Sequence, residues 1–267
     1  MQATREADES QVAEDAPAHD EPMTVMEHLA EFRRRLIRSL LGMIPGAVVG
    51  WLYAPQLLNL ILQPYSDAIR KLGLGEPTIH FANPMDQLVA YIKLSLVAGF
   101  LAGLPYTAWQ AWAFISPGLY EKERRYALPF SLATTVFFVG GSLFGFKIVF
   151  PLAFETLLAL TGSIGSVTVQ PTIMIGEYLD FATRMLLAFG AVFEVPVVVT
   201  LLAVAEIVNY KQLLGFGRWW VVLSSVFAAV LTPPDISSQM IMMVPLVVLY
   251  FVSVGIAYFV GPKPTQD

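Results

Sequence analysis

A chain of 267 residues that is 56% hydrophobic and only 14% charged, with a mean hydropathy of +0.62, is too apolar for a water-soluble domain of its size and reads as a polytopic helical membrane protein. It contains no cysteine, which excludes disulfides, thiolate metal sites, iron–sulfur clusters and cysteine nucleophiles and leaves the redox compartment unreadable. The net charge of −5 hides a division, because residues 1–27 set eight acidic groups against the single Arg5 while the remainder is slightly basic.

In chain order, residues 1–23 are acidic and poor in apolar side chains, the composition of a disordered tail. They lack the positive n-region and apolar h-region of a cleavable signal peptide, so the first span is expected to act as its own insertion signal. The approach to that span, EHLAEFRRRL, places Glu27, Glu31 and Arg35 at four-residue spacing on one helical face, where Glu-to-Arg pairing supports the turn. Membrane-length apolar runs follow near 36–54, 88–112, 127–150, 174–205 and 238–260, each close to the roughly 20 residues that a bilayer core requires. A sixth run, near 219–231, reaches only about 20 Å as a helix, so it either thins the bilayer or extends into flanking polar sequence. The expected fold is all-α: six transmembrane helices over residues 24–260, with short fifth and sixth spans joined as a hairpin by TPPDISSQ, followed by a cytoplasmic tail over 261–267. In the first connection, Pro55, Pro64, Pro77 and Pro84 divide the apolar stretch PQLLNLILQPYSDAIRKLGLG and its continuation into short surface helices.

Placing the N-terminus inside puts eleven of the sixteen Lys and Arg residues on cytoplasmic segments, which predicts both termini cytoplasmic. No fixed-period repeat is visible, an argument against an inverted-repeat transporter. His19, His28 and His80 are the only histidines and none falls in an expected span; no HExxH, GxxxxGK[ST] or GxGxxG occurs. The sequence thus nominates no catalytic residue, no metal site, no cofactor and no nucleic-acid contact, and any transport work draws on a partner or an ion gradient.

The remaining polar residues sit in costly places. In WAFISPGLYEKERR, residues 112–125, Lys122, Arg124 and Arg125 read as positive-inside anchors. Glu121 and Glu123 either neutralise those neighbours or bind a cation. Glu194, within AVFEVPVVV, is an ionisable group inside a span, costing several kcal/mol unless it neutralises, finds a partner or reaches water. Pro196 loosens the helix beside it. Asp180 and Arg184, four residues apart, read as a self-neutralising pair. Asp235 either caps the last span or acts directly; Gln239, one turn further on, is costly as an orphan. Lys147 is expected about one turn from the outer end of its span, within snorkelling reach.

These segments carry a resemblance. EHLAEFRRRL resembles the HLxELRxRL signature at the start of TatC, the multispanning core of the twin-arginine protein translocase. FISPGLYEKERR resembles that family's first cytoplasmic loop, and FEVP and TPPDISSQ resemble two later signatures, in order across residues 24–260. The chain departs from the pattern at Phe32, where leucine is common, and at Lys147, where an aromatic residue is usual. The resemblance implies a non-enzymatic signal-peptide receptor and scaffold of the bacterial cytoplasmic membrane that exports folded proteins using the proton-motive force. Single-span TatA- and TatB-like proteins, membrane lipids and further copies of the chain are the implied partners. It also implies that Glu31, Phe114 and Glu123, with Pro117 beside them and Glu121 undecided, receive the twin arginines. Each guanidinium can pair with a carboxylate through two charge-assisted hydrogen bonds. Glu194 becomes a functional polar group on a concave face, and Pro64 matches a family position in the first outer loop, where a lone proline shapes a turn. A secondary transporter binding a small cation at Glu194 is the alternative reading.

Overall fold

Six apolar helical runs form, as the hydropathy predicts, in a computed structural model that describes residues 25–115, 127–159, 163–164, 167–168, 172–231 and 236–260. The acidic tail expected over 1–23 and the tail over 261–267 lie outside the described residues. The first run is α1 (Val25–Leu52) and the second α3 (Asp86–Ile115), with α2 (Ala54–Lys71) between them. The third combines α4 (Ala127–Phe144), a π-helical turn (Gly145–Val149) and α5 (Phe150–Ala159); the fourth combines α6 (Ile175–Phe193) and α7 (Val195–Val204). The last two are α8 (Tyr210–Leu231) and α9 (Ile236–Val260).

Among the described residues, the most extensive helix pairing is α1 on α3. Its cause is a row of small residues: a Cβ built on Gly46 would meet the Ala102 Cβ at 2.8 Å, and one on Gly99 would meet the Met43 carbonyl oxygen at 2.8 Å. Glycine at these positions lets the two backbones touch, the usual basis of helix packing in lipid. The opposite face of α1 exposes Leu36, Leu40, Leu41, Ile44 and Val48.

The main core lies where α2, α5 and α6 meet. Tyr65, Phe150, Leu179, Ala182, Met185 and Phe189 are almost wholly buried there. Two tyrosines tie the connections to it: the Tyr178 hydroxyl donates to the Ile61 carbonyl at 2.5 Å and that of Tyr65 to the Thr78 carbonyl at 3.0 Å. Burial raises the pKa of the Tyr65 phenol, which keeps it a donor. His80 bridges to the start of α6, its N–H donating to Ile173 at 3.0 Å and its carbonyl accepting from Ile175 at 2.9 Å. A two-stranded antiparallel ribbon, β1 (Ser163–Ile164) and β2 (Val167–Thr168), precedes α6.

One sequence expectation is corrected and two positions are made definite. The first connection is not broken into pieces at Pro64: α2 is one helix of 18 residues, with Pro55 in its first turn, where no donor is needed, and Pro64 buried inside it. Of the two alternatives for the fifth run, extension into the flanking polar sequence is the one observed: α8 has 22 residues. Its polar flank is held in the helix by a reciprocal cap, Gln212 N–H to Asn209 Oδ1 at 3.0 Å and Asn209 N–H to Gln212 Oε1 at 2.9 Å. The fifth and sixth spans remain the shortest, with helices of 22 and 25 residues against runs of 28 to 32 for the others. Lys147 lies in the π-helical turn, with its ammonium 5.4 Å from the Phe146 ring centre. About 18 Å of helix follow it.

Candidate functional site

The start of α1 and the end of α3 come together through aromatic rings. Phe114, one residue before the end of α3, stacks on His28 with ring centres 4.4 Å apart and meets Phe32 at 5.5 Å. Glu31 lies between those two residues in the sequence, and its carboxylate accepts from Arg35 Nε at 2.9 Å and Nη2 at 2.5 Å. Both bonds fall on Oε1. Two of the expected site residues, Glu31 and Phe114, are therefore brought to one end of the bundle. Pro117, Glu121 and Glu123 lie outside the described residues. His28 was not singled out by the sequence; its place one turn before Glu31 was the available signal.

Glu194 sits at the break between α6 and α7, where Pro196 enters the first turn of α7 without a backbone donor. Its Oε1 is buried with no hydrogen-bond partner among the described residues, a condition shared there only by Ser224 Oγ. The carboxyl faces the Thr134 hydroxyl and the Phe138 backbone of α4. Trp112 of α3 donates its indole N–H to Thr134 Oγ1 at 3.3 Å and stacks on Phe130 at 4.9 Å. Three spans thus converge on one carboxyl group. Hydrogen-bonding capacity left open in an apolar setting is costly and marks a place for a polar partner or water.

The sequence pattern of the family described as "Sec-independent protein translocase protein (TatC)" matches residues 27–245. The chain belongs to the TatC family. It is 36% identical over 245 residues to the TatC of Carboxydothermus hydrogenoformans, covering 91% of this chain and 96% of that protein. With the Aquifex aeolicus TatC it shares 32% identity over 244 residues, 91% of this chain and 97% of the relative. A crystal structure described as the twin arginine translocase receptor TatC superposes with a TM-score of 0.74 at 31% identity, covering 88% of this chain and 99% of the other. As a TatC, the chain is a multi-pass membrane protein and a non-enzymatic component of Sec-independent protein translocation. That membership displaces the alternative of a small-cation transporter at Glu194.

The other nominated residues of this TatC divide as follows. Gln239 is not an orphan: its amide donates across the last hairpin to the Ser225 carbonyl at 3.2 Å and lies 3.4 Å from the Ser225 hydroxyl. Pro64 is buried in α2 and takes no part in either polar cluster, while Asp235 lies outside the described residues. Asp180 and Arg184 do not pair with each other. Asp180 instead accepts from Lys93 of α3 at 2.5 Å, and Arg184 forms no ion pair among the described residues. A partner 87 positions away was beyond the reach of a helix-spacing rule. Glu177, Asp180, Phe181, Arg184 and Val230 line a cavity of about 310 Å³ beside that bridge.

Proposed function

We propose that this chain is the signal-peptide receptor and core scaffold of a twin-arginine translocase, lying in a bacterial cytoplasmic membrane with both termini inside. The observation that carries the reading is the Glu31 carboxylate, which already accepts a guanidinium through two nitrogens beside the ring cluster of His28, Phe32 and Phe114. A signal arginine presents the same planar fork, and an aromatic face beside the carboxylate favours guanidinium over ammonium. Glu123, nine residues after Phe114 in the sequence, supplies the second carboxylate, with Pro117 as apolar contact and Glu121 as an auxiliary acid.

The positive-inside distribution of Lys and Arg supports the orientation, and in it Glu31 and Phe114 face the compartment where cargo is made. The lack of a nucleotide-binding motif in the sequence fits export of folded cargo driven by the proton-motive force. Single-span TatA- and TatB-like proteins are the partners, within a lipid-bound assembly holding more than one copy of this chain. The short fifth span offers them an edge: α8 exposes Trp219, Val222, Val226 and Val230, at spacings that put them on one helical face. A shorter apolar helix also gains from lateral association where the bilayer is thinned. Glu194 and Gln239 provide the polar groups that such helices or the passing cargo meet inside the membrane.

The test is export of a folded reporter carrying a twin-arginine signal by cells producing Glu31→Gln or Glu123→Gln. Both variants should insert normally and lose most export. Normal export by both would move the receptor site elsewhere.

A further inference from the structure

The first turns of α1 hold four arginines, and one behaves differently from the rest. Arg33, Arg34 and Arg38 are exposed. Arg35 turns back along the helix onto Glu31, and the two side chains are only 23% and 22% exposed. The pair lies on the stripe of α1 formed by residues 28, 31, 32 and 35, the stripe that carries His28 and Phe32 to Phe114. Arg35 Nε and Nη2 both bond Glu31 Oε1. A guanidinium binding Glu31 in the side-by-side manner takes both carboxylate oxygens, so it cannot do so while Arg35 keeps Oε1.

We propose that Arg35 is a resident competitor that occupies Glu31 as an internal copy of a signal arginine, and that a twin-arginine peptide binds by displacing it. The proposal deepens the receptor reading and rests on it. Its physical logic is an exchange of like for like. The carboxylate stays paired in both states, so binding does not carry the cost of withdrawing a lone charge from water. The net gain is the small difference between two arginine–carboxylate contacts plus what the second arginine and flanking peptide add, which leaves binding reversible. A lysine at the signal position offers a strongly hydrated point charge in place of a fork and is the poorer competitor. Arg35 thereby sets a threshold that a single ammonium does not cross, and once displaced its long side chain swings into the surrounding solvent.

The experiment measures affinities of a twin-arginine peptide and its twin-lysine version for the full-length purified protein. The variants are Arg35→Gln, Arg34→Gln and Glu31→Gln, the last with and without Arg35→Gln. Arg34→Gln removes the same formal charge from an exposed position and so reports the general loss of repulsion. Arg35→Gln should bind the twin-arginine peptide about two- to fivefold more tightly than wild type, the range an ion pair of this kind supports, and beyond the effect of Arg34→Gln. Its preference for arginine over lysine should narrow. In the Glu31→Gln background, Arg35→Gln should add no more than Arg34→Gln does. Arg35→Lys, which keeps the charge but not the fork, should give an intermediate gain and serves if the glutamine variant fails to fold. Affinity in Arg35→Gln or Arg35→Lys that is no tighter than in Arg34→Gln would overturn the proposal while leaving the receptor reading intact. Equal affinity of wild type for both peptides would instead sink the receptor reading and the proposal together.

Discussion

The indole nitrogen of Trp112 donates to the hydroxyl of Thr134 at 3.3 Å, fixing α3 to α4 directly beside the Glu194 carboxyl. Thr134 therefore serves two spans at once, and Thr134→Val keeps its shape while removing the group that both need. The expected result is an export defect of about fivefold, corresponding to one hydrogen bond of about 1 kcal/mol, with normal amounts of chain in the membrane. Thr135→Val is the control, because its hydroxyl only bonds back to the Ser131 carbonyl at 3.0 Å. Glu194→Gln retains the volume and loses the ionisable proton; full export by that variant would reduce Glu194 to a packing role.

The Lys93–Asp180 bridge gives a prediction about stability. Lys93→Met or Asp180→Leu alone leaves a partly exposed charge without its partner and should lower thermal stability in detergent by up to about 1 kcal/mol, the upper part of the range for partly exposed pairs. The double variant should recover most of the loss, since removing both charges leaves nothing unpaired. Arg184→Gln should change little. A large loss in Arg184→Gln together with an intact Lys93→Met would restore the pairing expected from helix spacing.

Close backbone contact between α1 and α3 predicts a sharp contrast among glycines. Gly46→Leu drives a side chain into Ala102 and the Gly99 backbone, so it should destabilise by about 1–3 kcal/mol. Gly140→Ala, with nothing within 4 Å of its new Cβ, should be neutral within about 0.5 kcal/mol. Thermal unfolding of the purified variants separates the two.

Tyr178→Phe removes only the hydroxyl that holds the Ile61 carbonyl of α2 from α6. The carbonyl keeps its helical donor, so the loss of this second bond should cost about 0.5–1.5 kcal/mol and make α2 more accessible to protease than in wild type. Unchanged cleavage would show that the ring packing of Tyr178, stacked on Phe154 at 5.3 Å, suffices.

Most of the fold was legible because a bilayer imposes length and hydropathy on each span, and those survive in the sequence without knowledge of neighbours. What was missed depended on finer or longer-range physics. The Asn209 and Gln212 cap was visible as spacing and would have decided between the two alternatives for the fifth run, starting α8 nine residues earlier than the apolar run. Glycines at 42, 46 and 50 facing Gly99 and Gly103 also stood in plain view as four-residue repeats. Pro64 misled because a proline inside a helix is tolerated when burial against a core offsets the lost bond. Lys93 with Asp180 was not legible at all, since helix spacing names only neighbours on one helix, whereas this pair joins α3 to α6. At the candidate site, the charge pattern revealed Glu31 and Arg35, but the stacking of His28 on Phe114 needed the fold.

The most direct measurement of the central claim is the affinity of the detergent-solubilised protein for a twin-arginine signal peptide against the same peptide with both arginines changed to lysine, repeated with Glu31→Gln. The account predicts tighter binding of the arginine peptide by wild type, by about tenfold or 1.4 kcal/mol, and a preference that largely disappears in Glu31→Gln. Equal affinity of wild type for the two peptides, or an undiminished preference in Glu31→Gln, would contradict it.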